Sequence, residues 1–346
     1  MTSAVASAPG KVILFGEHGI HRGQASITTA VELRVSCRVS LRADDTYCFR
    51  TGAQQEQVTR AELMSFKSHV DQLRESGAVT DVGALARDFF VPARYVMSQL
   101  VSRYGGPGLD VEWASNLPVG SGLGSGAAAF TSLVVAATTA MGVETTPEDR
   151  ILLAWHGDII AHGGYGSSLD SSTCIYGGFL SYTLADKAKR LPFDVKLPLV
   201  IGDTLVEHST SRVNTHINAW LAELPSRVHI FNDMSFLVQE FMSALGRANL
   251  ATLGKLMNIH QLLQEKMGTS CAESEALVEA ALGAGALGAK ISGSGCGGII
   301  IALAQPGQQE QVAAAIDAAG GKSYVVQTGA QGAHIERQEA PRPVAV

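Results

Sequence analysis

The chain has no excess of basic residues. Its 26 Lys and Arg stand against 32 Asp and Glu, a formal charge of −6, and no cluster of Lys and Arg occurs of the kind that nucleic acid or an anionic lipid surface selects. Any phosphate it binds must therefore be held by a local site. Cysteines are few and scattered: Cys37, Cys48, Cys174, Cys271 and Cys296 are an odd number without a C-x-x-C pair, so neither a disulfide framework nor a structural zinc site is indicated. A reducing, cytoplasmic location is expected. No apolar run approaches the ~20 residues that span a bilayer, and the opening Met1 to Gly10 lacks the basic start and apolar core of a signal peptide. Internal repeats and low-complexity tracts are absent. These absences exclude nucleic-acid binding, a disulfide-rich secreted fold and a membrane-spanning protein.

What the sequence has is apolar bulk and glycine. At 346 residues with 46% hydrophobic side chains it can build two domains, each with a core. Its central glycine stretch is Pro118-Val-Gly-Ser-Gly-Leu-Gly-Ser-Gly126, which runs directly into the Ala-rich segment 127–141. Glycine backbone can approach a ligand closely, and the first N–H groups of a helix lack partners and carry partial positive charge, so a phosphate is the natural guest. Two better-known loops are excluded. The last glycine is followed by Ala127 and Ala128 rather than the Lys and Ser/Thr of a Walker A loop. The G-x-G-x-G-x-G spacing is also not the G-x-G-x-x-G of a dinucleotide fold.

Along the chain, Val12 to Phe15 reads as a short buried strand with Lys11 at one mouth and Glu17-His18 at the other. Residues 30–49 alternate as at least one longer, half-exposed strand. Helices are expected from Thr59, by a Thr-Arg-Ala-Glu capping box, and over Val91 to Tyr104, ending at Gly105-Gly106. A strand over 108–113 then delivers the chain to the glycine loop. Thr146-Pro-Glu-Asp149 starts another helix, stopped by Gly163-Gly164. A polar loop through Asp170 and a strand over 175–182 follow. The charged, Pro-containing stretch 185–196 is the expected linker, which puts an N-terminal domain at 1–190, a C-terminal domain at 191–336 and a flexible tail at 337–346. In the second domain, a strand over 199–201, several helices over 209–267, a helix over 273–282, a strand, glycine loop and strand over 289–303, a helix over 308–319 and a strand over 323–327 give a β-α-β-β-α-β order with extra helices inserted.

Phosphoryl transfer needs a phosphate cradle, a divalent cation, a cation near the transferred group and a means of activating the acceptor. Lys11 is the candidate cation. Asp158 sits in an otherwise apolar helix, where a carboxylate should face a partner, a metal or water. His156 and His162 raise zinc as a rival, but only Asp158 and His162, at i and i+4, share a helix face. Asp170 lies in a Ser-rich stretch where an acid is commonly a turn residue.

Three blocks together resemble the motifs of the GHMP small-molecule kinases, and within that family the mevalonate kinases: Ala8-Pro-Gly-Lys-Val-Ile-Leu-Phe-Gly-Glu-His18, Leu117 to Ser125, and Ala289-Lys-Ile-Ser-Gly-Ser-Gly-Cys-Gly-Gly298. The resemblance covers nearly the whole chain. It implies an α+β fold of two domains, an N-terminal one like ribosomal protein S5 domain 2 and a ferredoxin-like C-terminal one, with the site between them. It also implies ATP- and Mg²⁺-dependent phosphorylation of the primary hydroxyl of mevalonate or a close relative, with a sibling kinase of phosphomevalonate or another small alcohol as the alternative. A catalytically silent ATP-binding sensor is the reading from another class. Residue by residue, Lys11 and Asp170 would be catalytic. Ser115 and the loop Gly120, Ser121, Gly122, Leu123, Gly124, Ser125 and Gly126 would hold the nucleotide. Glu17, His18, Thr210, Gly293 and Gly295 would meet the acceptor, and Asp158 with Ser125 the metal. A homodimer is implied, with no nucleic-acid or membrane partner. Two departures stand out. Gly126 occupies the place where the family has a second serine, a magnesium ligand, and Gly164 to Leu169 replaces the usual Pro-Ser-Gly with one residue more.

Overall fold

The computed structural model describes residues 2–85, 90–118, 122–164, 166–207 and 210–339. The chain opens with two long strands, β1 (Ser3–Phe15) and β2 (Ser26–Leu41), then the hairpin β3 (Thr46–Thr51) and β4 (Gln54–Thr59). Helices α1 (Arg60–Glu75), α2 (Val79–Leu85) and α3 (Val91–Tyr104) follow. Strand β5 (Leu109–Ser115) leads to α4 (Ser125–Ala140), α5 (Pro147–Ala161) and α6 (Leu169–Tyr176). Hairpin β6 (Phe179–Thr183) and β7 (Lys187–Leu191) closes this half. The rest is β8 (Pro198–Asp203), α7 (Thr210–Glu223), α8 (Ile230–Gly246), α9 (Leu250–Lys266), α10 (Ala272–Gly283), β9 (Gly288–Ser292), β10 (Ile299–Leu303), α11 (Gln309–Ala318), β11 (Lys322–Gln327) and β12 (His334–Glu339).

Local chemistry explains the helix boundaries. Thr59 caps α1 and Thr146 caps α5, each with a reciprocal bond from its capping-box acid, Glu62 or Asp149. Helix α3 carries a proline in its first turn and stops at Gly105. Helix α4, almost entirely small and apolar, is buried on most faces because it packs between β1–β2 and α5.

Two sheets form. The first runs β12-β1-β2-β5-β3-β4, with β6 added to the N-terminal half of β2 and β7 beyond it. Among the described residues only its β3–β5 pair is parallel. The second runs β11-β8-β10-β9, all antiparallel. In chain order its strands lie 4-1-3-2, a ferredoxin-like sheet with α7 to α10 between its first two strands. One face of this sheet packs on α10 and α11 through Val200, Ile300 and Ile316. Its other face shares a core with β1: Val12, Leu14 and Phe15 pack with Leu199, Ile201 and Ile301, and Phe15 stacks on Phe241 of α8 at 4.2 Å. The two halves are thus joined by apolar burial along β1.

Four expectations change. Strand β1 begins at Ser3 rather than Val12, because its register shifts between Pro9 and Gly10, a bulge that accommodates proline inside a strand. Asp170 lies in the first turn of a helix, and residues 175–176 end that helix instead of starting a strand. The hydroxyl pair Thr28–Thr173 at 2.7 Å and the Cys174 thiol on the Pro9 carbonyl hold this short helix against β1 and β2. The expected linker contains β7, which pairs with β6. Residues 334–339 pair with β1, so the expected C-terminal domain returns to the first sheet and the expected tail is ordered as strand through Glu339. Residues 340–346 lie outside the described residues.

Candidate active site

The site is built on β1. The Lys11 backbone N–H donates to the Leu123 carbonyl at 2.9 Å, which lays the glycine loop against the strand. Gly124, the residue before α4, has φ +74, and a Cβ there would stand 2.9 Å from Lys11 Cγ and 3.0 Å from its Cε. Only glycine meets both demands, and it lets the Lys11 side chain run past the N-terminus of α4. Lys11 is 5% exposed and its ammonium lies 3.1 Å from Asp170.

A close helix contact brings in the second carboxylate. A Cβ on Gly157 of α5 would sit 2.4 Å from Phe130 of α4, so α5 approaches α4 as nearly as a glycine allows. Asp158, the next residue, is thereby buried at 2% exposure beside the glycine loop. Burial, and then repulsion from Asp170, pushes its carboxyl up to about 8, while the Ser171 hydroxyl, which donates to Oδ2, and Lys11 pull it down. Two carboxylates and one ammonium in a water-poor corner leave room for a cation. Among the described residues no cluster of three or more His, Cys, Asp or Glu could hold a metal. A metal here would therefore take part of its shell from phosphate and water, as Mg²⁺ does readily. His156 turns to Tyr95, ring to ring at 5.6 Å, and its Nδ1 meets the Leu152 carbonyl, which leaves zinc without a second histidine from this helix on the cleft.

The opposite wall comes from both halves. Gly16 turns the chain at φ +89 where a Cβ would strike Ala25, and Glu17 and the left-handed His18 (φ 64) follow. His18 is 7% exposed, its Nε2 has no partner, and burial with the nearby Arg22 lowers its pKa to about 4. The loop between β9 and β10 and the start of α7 face it, with the Thr210 hydroxyl 3.5 Å from that of Ser294. Together these surfaces enclose a cleft of about 1560 Å³.

The cleft gathers Lys11, Glu17, His18, Gly122, Gly124, Ser125, Gly126, Asp158, Asp170, Thr210 and Gly293 from the sequence-derived candidates. Three others stand back from its lining. Ser115 closes a turn, accepting from the Leu117 N–H at 3.0 Å. Leu123 is a core residue that contributes its carbonyl. Gly295 packs on Thr269, whose carbonyl would lie 2.1 Å from a Cβ there. Gly120 and Ser121 lie outside the described residues. Sequence reasoning missed Ser171, because its helix was read as loop, and Glu207 and Arg212, which line the cleft without any motif. It also gave no part to Lys290, although a lysine inside an apolar strand was a visible signal.

The family model described as GHMP kinases N terminal domain matches residues 92–178, and GHMP kinases C terminal matches residues 241–322. The mevalonate kinase of Pyrococcus horikoshii is 34% identical over 338 residues, 96% of this chain and 97% of the relative. That of Thermococcus sibiricus is 32% identical over 338 residues, 96% and 98% of the two chains. Among solved structures, L. major mevalonate kinase in complex with R-mevalonate superposes with a TM-score of 0.76 at 25% identity, covering 94% of this chain and 96% of that one.

Proposed function

The chain belongs to the GHMP kinase family, and we propose that it transfers the γ-phosphoryl group of ATP to the primary hydroxyl of mevalonate, giving 5-phosphomevalonate, an isoprenoid precursor. It is a phosphotransferase with an alcohol acceptor. The observation that carries the mechanism is the Lys11–Asp170 pair, 3.1 Å apart at the N-terminus of α4. Asp170 accepts the hydroxyl proton as the acceptor oxygen bonds to the γ-phosphorus and the bond to the bridging oxygen breaks, releasing ADP. Lys11 faces the oxygens onto which negative charge moves in that step. Gly122 to Gly126 and the first N–H groups of α4 hold the phosphates.

Asp158 and Ser125 would hold a magnesium ion, which when bound neutralises phosphate charge. The buried carboxylate, with a second acid beside it and no guanidinium on it, fits such a cation. Gly126 offers no side-chain oxygen, so water or phosphate would have to complete the shell.

The cleft's charge favours a non-phosphorylated acceptor. Among the described residues its lining offers two permanent cations, Lys11 and Arg212, against Asp158, Asp170 and Glu207, with Glu17 neutralised by the buried Lys290. Lys11 is already committed to Asp170, which leaves little for a second phosphate. No helix among the described residues is long and apolar enough to cross a membrane, and we place the enzyme in the cytoplasm as a homodimer, to be checked by fractionation and light scattering. The deciding experiment is acceptor-dependent ADP release across mevalonate, phosphomevalonate and other small alcohols. Turnover with mevalonate is expected, and turnover with phosphomevalonate alone would replace this reading by the sibling one.

A further inference from the structure

Glu17 borders the cleft, yet its carboxylate is only 1% exposed and is engaged on the side away from it. Lys290 of β9, itself fully buried, donates to Oε1 at 2.5 Å and also to the Ile291 carbonyl. Oε2 lies 3.4 Å from Nε2 of His260 on α9, another fully buried side chain. Among the described residues neither Oε2 nor His260 Nε2 has a hydrogen-bond partner, so the direct bond to the carboxylate comes from Lys290. Phe15 packs under the cluster, with His260 edge-on at 5.0 Å and the Lys290 ammonium 5.7 Å from the ring centre. Two positions after Lys290, Ser292 takes the place of a neighbouring strand for β1: its hydroxyl accepts from Ile13 N–H and donates to the Ile13 carbonyl. His18 and Ser294 of the same loop both line the cleft.

These contacts join the end of β1 to the β9–β10 loop, across more than 270 residues of sequence. We propose that Lys290 is a positioning residue: with His260 packed beside the pair, it consumes the Glu17 charge internally and thereby fixes His18, Gly293 and Ser294 as one rigid acceptor-side wall. Glu17 then acts on the acceptor through its neighbours and not by touching it. The kinetic arm of this inference rests on the alcohol-kinase reading.

The groups facing Glu17 are His18 beside it, Lys290 from β9, and His260 with the neutral Gln261 and Gln264 from α9, while His21 and Arg22 act on His18 from the next turn. Burial raises the Glu17 carboxyl, and Lys290 opposes that rise. In Lys290→Met the carboxyl rises further, so the folded chain holds a proton that the unfolded one releases. Stability in that variant is then greatest at low pH and falls as pH rises. Glu17→Gln/Lys290→Met removes both charges and with them this dependence.

The experiment compares wild type, Lys290→Met and the double variant. In Lys290→Met the acceptor KM should rise ~10-fold or more while the ATP KM stays within ~2-fold, and the thermal midpoint should fall between pH 6 and 9 relative to wild type. The double variant should regain most of the acceptor KM and lose the pH slope. A double variant no better than Lys290→Met would mean that the Glu17 charge itself is needed at the cleft, and would overturn the proposal, as would wild-type kinetics in Lys290→Met. A Lys290→Met chain that cannot be purified beside a soluble double variant supports it, and failure of both counts against it. If the wild type does not turn over mevalonate, the functional reading falls. The midpoint slopes alone then decide: a slope confined to Lys290→Met supports the cluster, and parallel slopes refute it.

Discussion

Asp158→Asn in the metal-free protein, read as thermal midpoint against pH, tests the site without relying on turnover. The ordinary value for this carboxyl is 3.8, and burial followed by repulsion from Asp170 pushes it up to about 8. Between those values the folded chain keeps a proton that the unfolded chain has released. The stabilising contribution of such a group is fully present below the unfolded pKa and is lost as pH rises through the folded one, so the window here runs from pH 3.8 to about 8. One pH unit inside it corresponds to ~1.4 kcal/mol, and going from about pH 5 to about pH 8 removes on the order of 4 kcal/mol as an upper bound. Asparagine keeps the shape and can still accept from the Ser171 hydroxyl, and it has no proton to lose. We expect the variant's midpoint to gain ~5 °C on the wild type between pH 5 and pH 8, given ~2 cal/mol/K per residue of unfolding entropy. All other titrating groups are shared, so the difference isolates Asp158. Adding Mg²⁺ with a non-hydrolysable ATP analogue should reverse that gain, because a cation rewards the carboxylate alone. Midpoints that run parallel across this pH range would refute both the burial argument and the assignment of Asp158 as a poised cation ligand.

Asp170→Asn should lower kcat by ~10²-fold or more, the usual range for a lost general base, with nucleotide binding largely kept; a near-wild-type kcat removes Asp170 from the chemistry. Lys11→Met should reduce kcat far more than it weakens either substrate, and a change confined to the ATP KM would make Lys11 a ground-state phosphate contact. Gly124→Ala combines a left-handed backbone with a Cβ 2.9 Å from Lys11 Cγ, so kcat should fall ~10-fold or more as the lysine is displaced. Gly142→Ala, at φ +68 with nothing within 4 Å, is the control: ~1 kcal/mol of backbone strain, measured by denaturant titration, and unchanged kinetics.

Much of the chain was legible before any coordinates because its signals are local. The capping boxes at Thr59 and Thr146 satisfy orphan helix N–H groups within four residues, and both helices start where those residues stand. The bounds of α3, Val91–Tyr104, follow from a proline in its first turn and Gly105 just past its end. The glycine loop before an Ala-rich helix, and the β9–loop–β10 unit, likewise need only neighbours in sequence. What escaped was decided by partners far away in the chain. Residues 169–176, rich in Ser and Thr, have weak helical propensity, and they are helical because Thr173 and Cys174 bond to Thr28 and Pro9. Strand β12 was invisible because its reason is an open edge of β1 more than 320 residues earlier. The same holds at the site. The sequence by itself singled out Lys11, Asp158 and Asp170 as candidate side chains. Only the tertiary structure decided that Lys11 and Asp170 meet, that Gly157 brings Asp158 to the glycine loop, and that Glu17 pairs with Lys290, since each is a close approach between elements distant in sequence, set by packing and by the cost of burying a charge without a partner.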